Sequence, residues 1–110
     1  MTIEAELDRL FNTRSRIPVE DYATLGHTII GYGIPDFSHM SPDNPVDCDR
    51  LMRLIEMAVR FHEPRVLNPV AHMLGRASES SIAVTVEGDI VVENRKVRLK
   101  FFPPNQQLRA

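Results

Sequence analysis

Arg50-Leu51-Met52-Arg53-Leu54-Ile55-Glu56-Met57-Ala58-Val59-Arg60-Phe61-His62-Glu63-Pro64-Arg65 is the stretch on which the fold turns. Leu51, Leu54, Ile55, Ala58 and Phe61 recur at helical spacing on one side, while Arg53, Glu56 and Arg60 fall elsewhere. That period predicts an amphipathic helix with one face in a core. Asp47 and Asp49 are both placed to cap its start, because a short carboxylate accepts bonds from the first free N–H groups. Pro64 sets the end, since a residue before proline is pushed out of the α region. The helix is therefore expected to stop near His62 or Glu63.

Just past that stop, an acid and a base flank a proline. If residues 63 to 65 are extended, Glu63 and Arg65 point to one side, because strand side chains alternate with period two. On a continuous helix, residues two apart do not face each other. A solvated helix end that happens to carry charges satisfies the same spacing, and spacing alone favours that plainer reading.

Outward from this stretch, residues 2 to 12 read as a first helix, with Ile3, Leu7, Leu10 and Phe11 on one face and Thr2 as N-cap. Asn12-Thr13-Arg14-Ser15-Arg16 breaks the pattern, and Pro18 is suited to open a short helix through Tyr22. Leu25, Ile29 and Ile30 form an apolar patch of undetermined form. Gly31 to Phe37 is irregular by composition, and Ser38 to Asp49, with Pro42 and Pro45, reads as a surface loop. Downstream, Val66 to Leu74 reads as a strand, with Pro69 pointing to a sheet edge. Gly75 to Ser80 reads as a turn. Ile82, Val84, Val86, Ile90 and Val92 share one parity through Gly88, which favours a single long strand. Glu93 to Lys96 reads as a turn, and Val97, Leu99 and Phe101 as the inner face of a half-buried strand ended by Pro103-Pro104. The expected fold is α+β: N-terminal helices packed on a small, three-stranded antiparallel meander, in one domain spanning 1–110.

Composition is that of an ordinary globular domain of 110 residues. A net charge of −2 gives no electrostatic reason to invoke nucleic acid or an anionic membrane. Cys48 is the single cysteine, so no intrachain disulfide forms. With acidic Glu4 and Glu6 near the start and no long apolar run, neither a secretory leader nor a membrane span is expected, and the reading is cytoplasmic.

Catalytic, cofactor and metal motifs are not found. Gly31 and Gly33 lack the strand, later glycine and helix start of a phosphate loop. Asp47 and Asp49 flank Cys48 and oppose a thiolate. His27, His39, His62 and His72 form no pair at ligand spacing. The acidic residues of the 43–49 segment do not match a calcium loop. A two-carboxylate muramidase, with Glu63 and Asp36 across a cleft, is the enzyme reading to weigh; the chain has no Trp to build a sugar platform.

Three motifs together resemble one family. Leu10-Phe11-Asn12-Thr13-Arg14 resembles its L-x-N-T-R, Tyr32-Gly33-Ile34-Pro35-Asp36-Phe37 its Y-G-L-P-D-F, and Arg60-Phe61-His62-Glu63-Pro64-Arg65-Val66 its R-F-E-P-R-L, with His62 as an extra residue. The family is the type VI secretion baseplate subunit TssE, similar to the gene-product-25-like wedge proteins of contractile phage tails. The resemblance implies a non-enzymatic α+β protein, although members have been labelled lysozyme-like. It implies partners TssF and TssG in the wedge, and contact with the TssB–TssC sheath whose polymerisation it helps to start. It also implies assembly roles for Glu63, Pro64 and Arg65, and it draws in Tyr32, Gly33, Pro35, Asp36, Asn12 and Arg14 as interface residues. A strand edge near Val66 to Leu74, or Val97 to Phe102, is the expected place for an incoming sheath strand.

Overall fold

The computed structural model describes residues 2–37, 39–41, 43–78, 81–102 and 108–109. Helix α1 (Ile3–Phe11) starts at Thr2, whose Oγ1 accepts from the Ala5 N–H at 3.1 Å. Pro18 precedes a 3₁₀ turn, Val19–Asp21, that runs into the one-turn helix α2 (Tyr22–Leu25). Helix α3 (Pro45–His62) crosses the sheet formed by β1 (Leu67–Ser78), β2 (Ser81–Val92) and β3 (Arg95–Phe101). The order is β1-β2-β3, antiparallel throughout, so the helices and the meander form the expected α+β arrangement.

Helix α3 begins earlier than its apolar period suggests. The cap is Asn44, not Asp47 or Asp49: its Oδ1 accepts from the Val46 N–H at 2.9 Å and the Asp47 N–H at 3.4 Å. Pro45 occupies the first turn, where a missing N–H costs no hydrogen bond. Residues 45–49 are therefore helix rather than loop. The loop ahead of it is tied down, because Arg76 Nη1 donates to both carboxylate oxygens of Asp43 at 3.0 and 3.1 Å. Ser38 and Pro42 of that loop lie outside the described residues.

The core is the inner face of α3 against the sheet. Leu51, Met52, Leu54, Ile55, Ala58 and Val59 are buried from the helix; Ala71, Val84, Val86 and Phe101 are buried from the strands. Leu7, Leu10 and Phe11 of α1 close it, with Phe11 and Phe101 rings 5.7 Å apart. Each large aliphatic side chain so buried contributes about 1.5–3 kcal/mol.

Strand β1 runs through Gly75 to Ser78, where a turn was expected, because a register shift between Met73 and Gly75 absorbs the irregularity. Glu79, Ser80, Pro103 and Pro104, also read as turn or strand end, lie outside the described residues. A second shift between Leu67 and Val70 holds Asn68, at φ 51°, and Pro69. Proline is tolerated at such a bulge on an edge. Strand β2 is unbroken through Gly88, as its parity predicts; a Cβ there would lie 2.5 Å from Val66 Cγ1. The β2–β3 turn is only Glu93-Asn94, both at positive φ (51° and 65°), the geometry of a type I′ hairpin. A short β4 (Leu108–Arg109) continues beside β2, in a tail read from sequence as merely polar. Val97 is 44 % exposed, contrary to expectation, because the hairpin end projects beyond the helix layer.

The two cap assignments separate cleanly by mutation. Asn44→Ala is expected to cost about 1 kcal/mol in urea unfolding, and Asp49→Ala under about 0.5 kcal/mol. The reverse order would refute the observed helix start.

Candidate functional site

The end of α3 is closed by a tight turn. The Glu63 N–H donates to Val59 O at 2.8 Å, and the Val66 N–H donates to Glu63 O at 3.1 Å, so residues 63–66 form a turn rather than an extended segment. The acid and base nevertheless pair. Arg65 Nε donates to Glu63 Oε1 at 2.6 Å and Nη2 to Oε2 at 2.8 Å, a two-pronged contact across Pro64. The Glu63 side chain is 5 % exposed and that of Arg65 50 %, so the carboxylate lies inside and the guanidinium outside. The bond to Glu63, more than the Glu6 charge nearby on α1, raises the Arg65 pKa.

The other two motifs meet at the backbone. The Ile34 N–H donates to Thr13 O at 2.8 Å and the Ser15 N–H to Ile34 O at 2.9 Å, a parallel bridge joining Arg14 to Ile34. Gly33, at φ 118°, lies against this bridge; a Cβ there would be 2.6 Å from Thr13 O and 2.7 Å from Ser15 N. The Tyr22 hydroxyl, fully buried, donates to Gly33 O at 2.9 Å. Burial pushes its pKa far up, which keeps it a donor. Pro35 is buried beside Ile34. Arg14 stacks on the Phe37 ring at 4.5 Å and feels the Asp36 charge; burial lowers its pKa.

Tyr32 joins these parts to the turn. Its hydroxyl accepts from Arg9 Nε at 3.3 Å, and Arg9 Nη2 also holds Glu6 at 2.9 Å. The Tyr32 ring packs edge-on against His62, with centroids 5.0 Å apart. His62 Nε2 lies 2.7 Å from Gly26 O, and as only one of the two can donate, the ring N–H does. Glu63, Pro64, Arg65, Tyr32, Gly33, Pro35, Asp36 and Arg14 thus belong to one region linked through Tyr32 and the 13–15 bridge. Asn12 does not reach the turn. It ends α1, its Nδ2 donating to Asp8 O at 2.9 Å and Asp8 Oδ1 at 3.0 Å. Nothing local in the sequence marks Glu6, Arg9, Tyr22 or His62 as site residues. Glu6 and Arg9 are visible as an i, i+3 pair, but their link to Tyr32 spans 23 residues and leaves no local signal.

Enzyme chemistry finds little support here. The Glu63 carboxylate is buried and held at both oxygens by Arg65, an arrangement that favours its charged form over a proton donor. A cleft of about 370 Å³ between α3 and β1 is lined by Cys48, Met52, Arg53, Glu56, Ala71 and His72. Burial first, then the Asp47, Asp49 and Asp43 charges, raises the Cys48 pKa, away from a nucleophile. Among the described residues no group of His, Cys, Asp or Glu is placed to hold a metal ion, and no helix is long and apolar enough to cross a membrane.

The family comparison points to a structural baseplate protein. Residues 1–95 match the family described as baseplate wedge protein gp25, and the chain belongs to that family. Comparison with curated proteins finds no match.

Two measurements probe this geometry. Gly33→Ala is expected to cost at least about 2 kcal/mol, from positive φ and the backbone contact together, and Tyr22→Phe about 1–2 kcal/mol; a Gly33→Ala protein of unchanged stability would contradict the bridge. Burial lowers the His62 pKa below 6.5, so folding favours the neutral ring. Its contribution is complete above the unfolded pKa and is lost as pH falls through the lower folded value. Stability of wild type should therefore drop below about pH 6.5 more than that of His62→Gln. Parallel pH profiles of the two would refute it.

Proposed function

We propose that this chain is a TssE-type wedge subunit of a type VI secretion baseplate. In this reading it is a cytoplasmic, non-enzymatic component that docks on TssF and TssG and helps to start the TssB–TssC sheath. The observation that carries it is the orientation of the turn: Glu63 buried, Arg65 half-exposed and held by two of its N–H donors. The remaining guanidinium donors face outward, pre-oriented for a carboxylate or carbonyl of another subunit. Tyr32 and Arg9 adjoin it through the His62 contact and Glu6. The family description fits a contractile phage tail as well, and the wedge of such a tail is the second reading. Gene neighbours separate the two: secretion sheath genes against capsid and tail-tube genes.

For sheath contact by strand addition, the β3 edge is favoured over β1. What supports this is that Glu56 Oε2 already accepts the Ala71 N–H at 2.9 Å, filling part of the β1 edge. Among the described residues β3 pairs with β2 only.

Co-expression with the neighbouring baseplate genes tests the reading. Wild type is expected to co-purify with a wedge neighbour, and Glu63→Ala/Arg65→Ala, with an unchanged circular dichroism spectrum, to lose about tenfold or more of that retention. Equal retention would remove the turn as the docking site. No retention of wild type by any neighbour would remove the wedge role, and clearing of a peptidoglycan suspension by the chain would replace it with the muramidase.

A further inference from the structure

Helix α3 carries a second surface, away from the turn. Val46, Arg50, Arg53, Met57 and Arg60 fall within an arc of about 80° on a 3.6-residue helix. Val46 is 72 % exposed, the three arginines are exposed and Met57 is half-buried. From Arg50 to Arg60 the stripe is about 15 Å long.

What distinguishes it is the state of its charges. Elsewhere the cations are mostly answered: Arg9 by Glu6, Arg65 by Glu63, Arg76 by Asp43, Arg98 by Asp89 and Lys100 by Glu87. Arg14 lies near Asp36. None of Arg50, Arg53 and Arg60 has a carboxylate at ion-pair distance among the described residues. Arg16, Arg95 and Lys96 are likewise unanswered, but they sit on a loop and a hairpin and form no helical row.

We propose that this stripe docks an acidic amphipathic helix of another protein chain, with carboxylates at matching helical spacing. Arginine and methionine are enriched in protein interfaces while Asp, Glu and Lys are depleted, which is the make-up of these five positions. Each guanidinium can donate two N–H bonds to one carboxylate, and only carboxylates in a row meet all three arginines at once. A polyanion such as nucleic acid fits less well, because its closely spaced phosphates would run past the three arginines onto Asp47, Asp49 and Glu56 of the same helix, whereas a single row of carboxylates meets the arginines alone. A second copy fits less well too. Its own acidic helical pairs are Glu4 and Asp8 on the nine-residue α1, where Asp8 Oδ1 already accepts from Asn12, and Asp49 and Glu56 on α3, where Glu56 Oε2 already accepts from the Ala71 N–H. The proposal does not depend on the baseplate role.

The test uses the full chain and two stapled, fluorescent helical peptides of equal charge. In one the glutamates form a single row spaced i, i+3, i+7, i+10; in the other they are spread around the helix. Fluorescence anisotropy is expected to show the row peptide binding about tenfold tighter, more so at low salt. Arg50→Glu/Arg53→Glu/Arg60→Glu should abolish that preference, and Arg16→Glu/Arg95→Glu/Lys96→Glu should leave it intact. Glutamine in place of the three α3 arginines makes the same comparison if the charge reversal unfolds the chain. No binding of the row peptide, equal binding of both peptides, or equally tight binding of a DNA oligonucleotide of equal charge would overturn the proposal. So would salt-sensitive self-association in sedimentation that the α3 triple variant abolishes, which would make the occupant a second copy.

Discussion

A carboxylate at the end of a helix, shielded from water, has to be met by a cation, and Glu63 is met by a residue only two positions on. That requirement shapes the joint. Arg65 reaches both Glu63 oxygens where the chain doubles back through Pro64, and the Val66 N–H closes on Glu63 O. The turn delivers Val66 into the core over Gly88 of β2, where a side chain on the glycine would collide with it. Helix end, ion pair and first strand are therefore one geometric unit. Partly shielded pairs of this kind contribute modest net stability, but breaking one member leaves the other badly solvated. The joint is held in place more by the penalty for opening it than by the attraction within it.

The irregular segment before α3 is fixed by different means. It has little regular structure of its own, so its backbone groups are satisfied one at a time. Thr13 O and the Ser15 N–H take the two sides of Ile34, Tyr22 takes Gly33 O, and His62 takes Gly26 O. Buried backbone polar groups without partners are costly. A loop answered at so many points is pinned along its backbone, although Leu25, Ile29 and Ile30 stay exposed, and it carries Tyr32 to the helix end.

Local signals were legible, and non-local ones were not. The Thr2 cap, the stop of α3 at His62 and the unbroken β2 each depend on residues within a turn or two, and the spacing revealed them. The start of α3 is hidden in the sequence because Pro45 looks like a loop residue beside Pro42, although proline is neutral in a first turn. The Glu63–Arg65 pair was readable as a pair, but its conformation was not, since turn and strand both bring residues two apart together. Alternation showed which side of β3 is apolar; it could not show how far the helix layer extends, and so Val97 is half in solvent. The meeting of Arg9, Tyr32 and His62 spans three segments and is written in none of them.

The Glu56 contact to the Ala71 amide has a consequence for polarity. A sheet with two bare edges grows in either direction, and identical copies added to it give no defined first member. Here a helix side chain takes one amide of the β1 margin, while among the described residues β3 on the opposite margin pairs with β2 only. Such a sheet has a front and a back. A strand arriving at this sheet therefore meets two unlike margins.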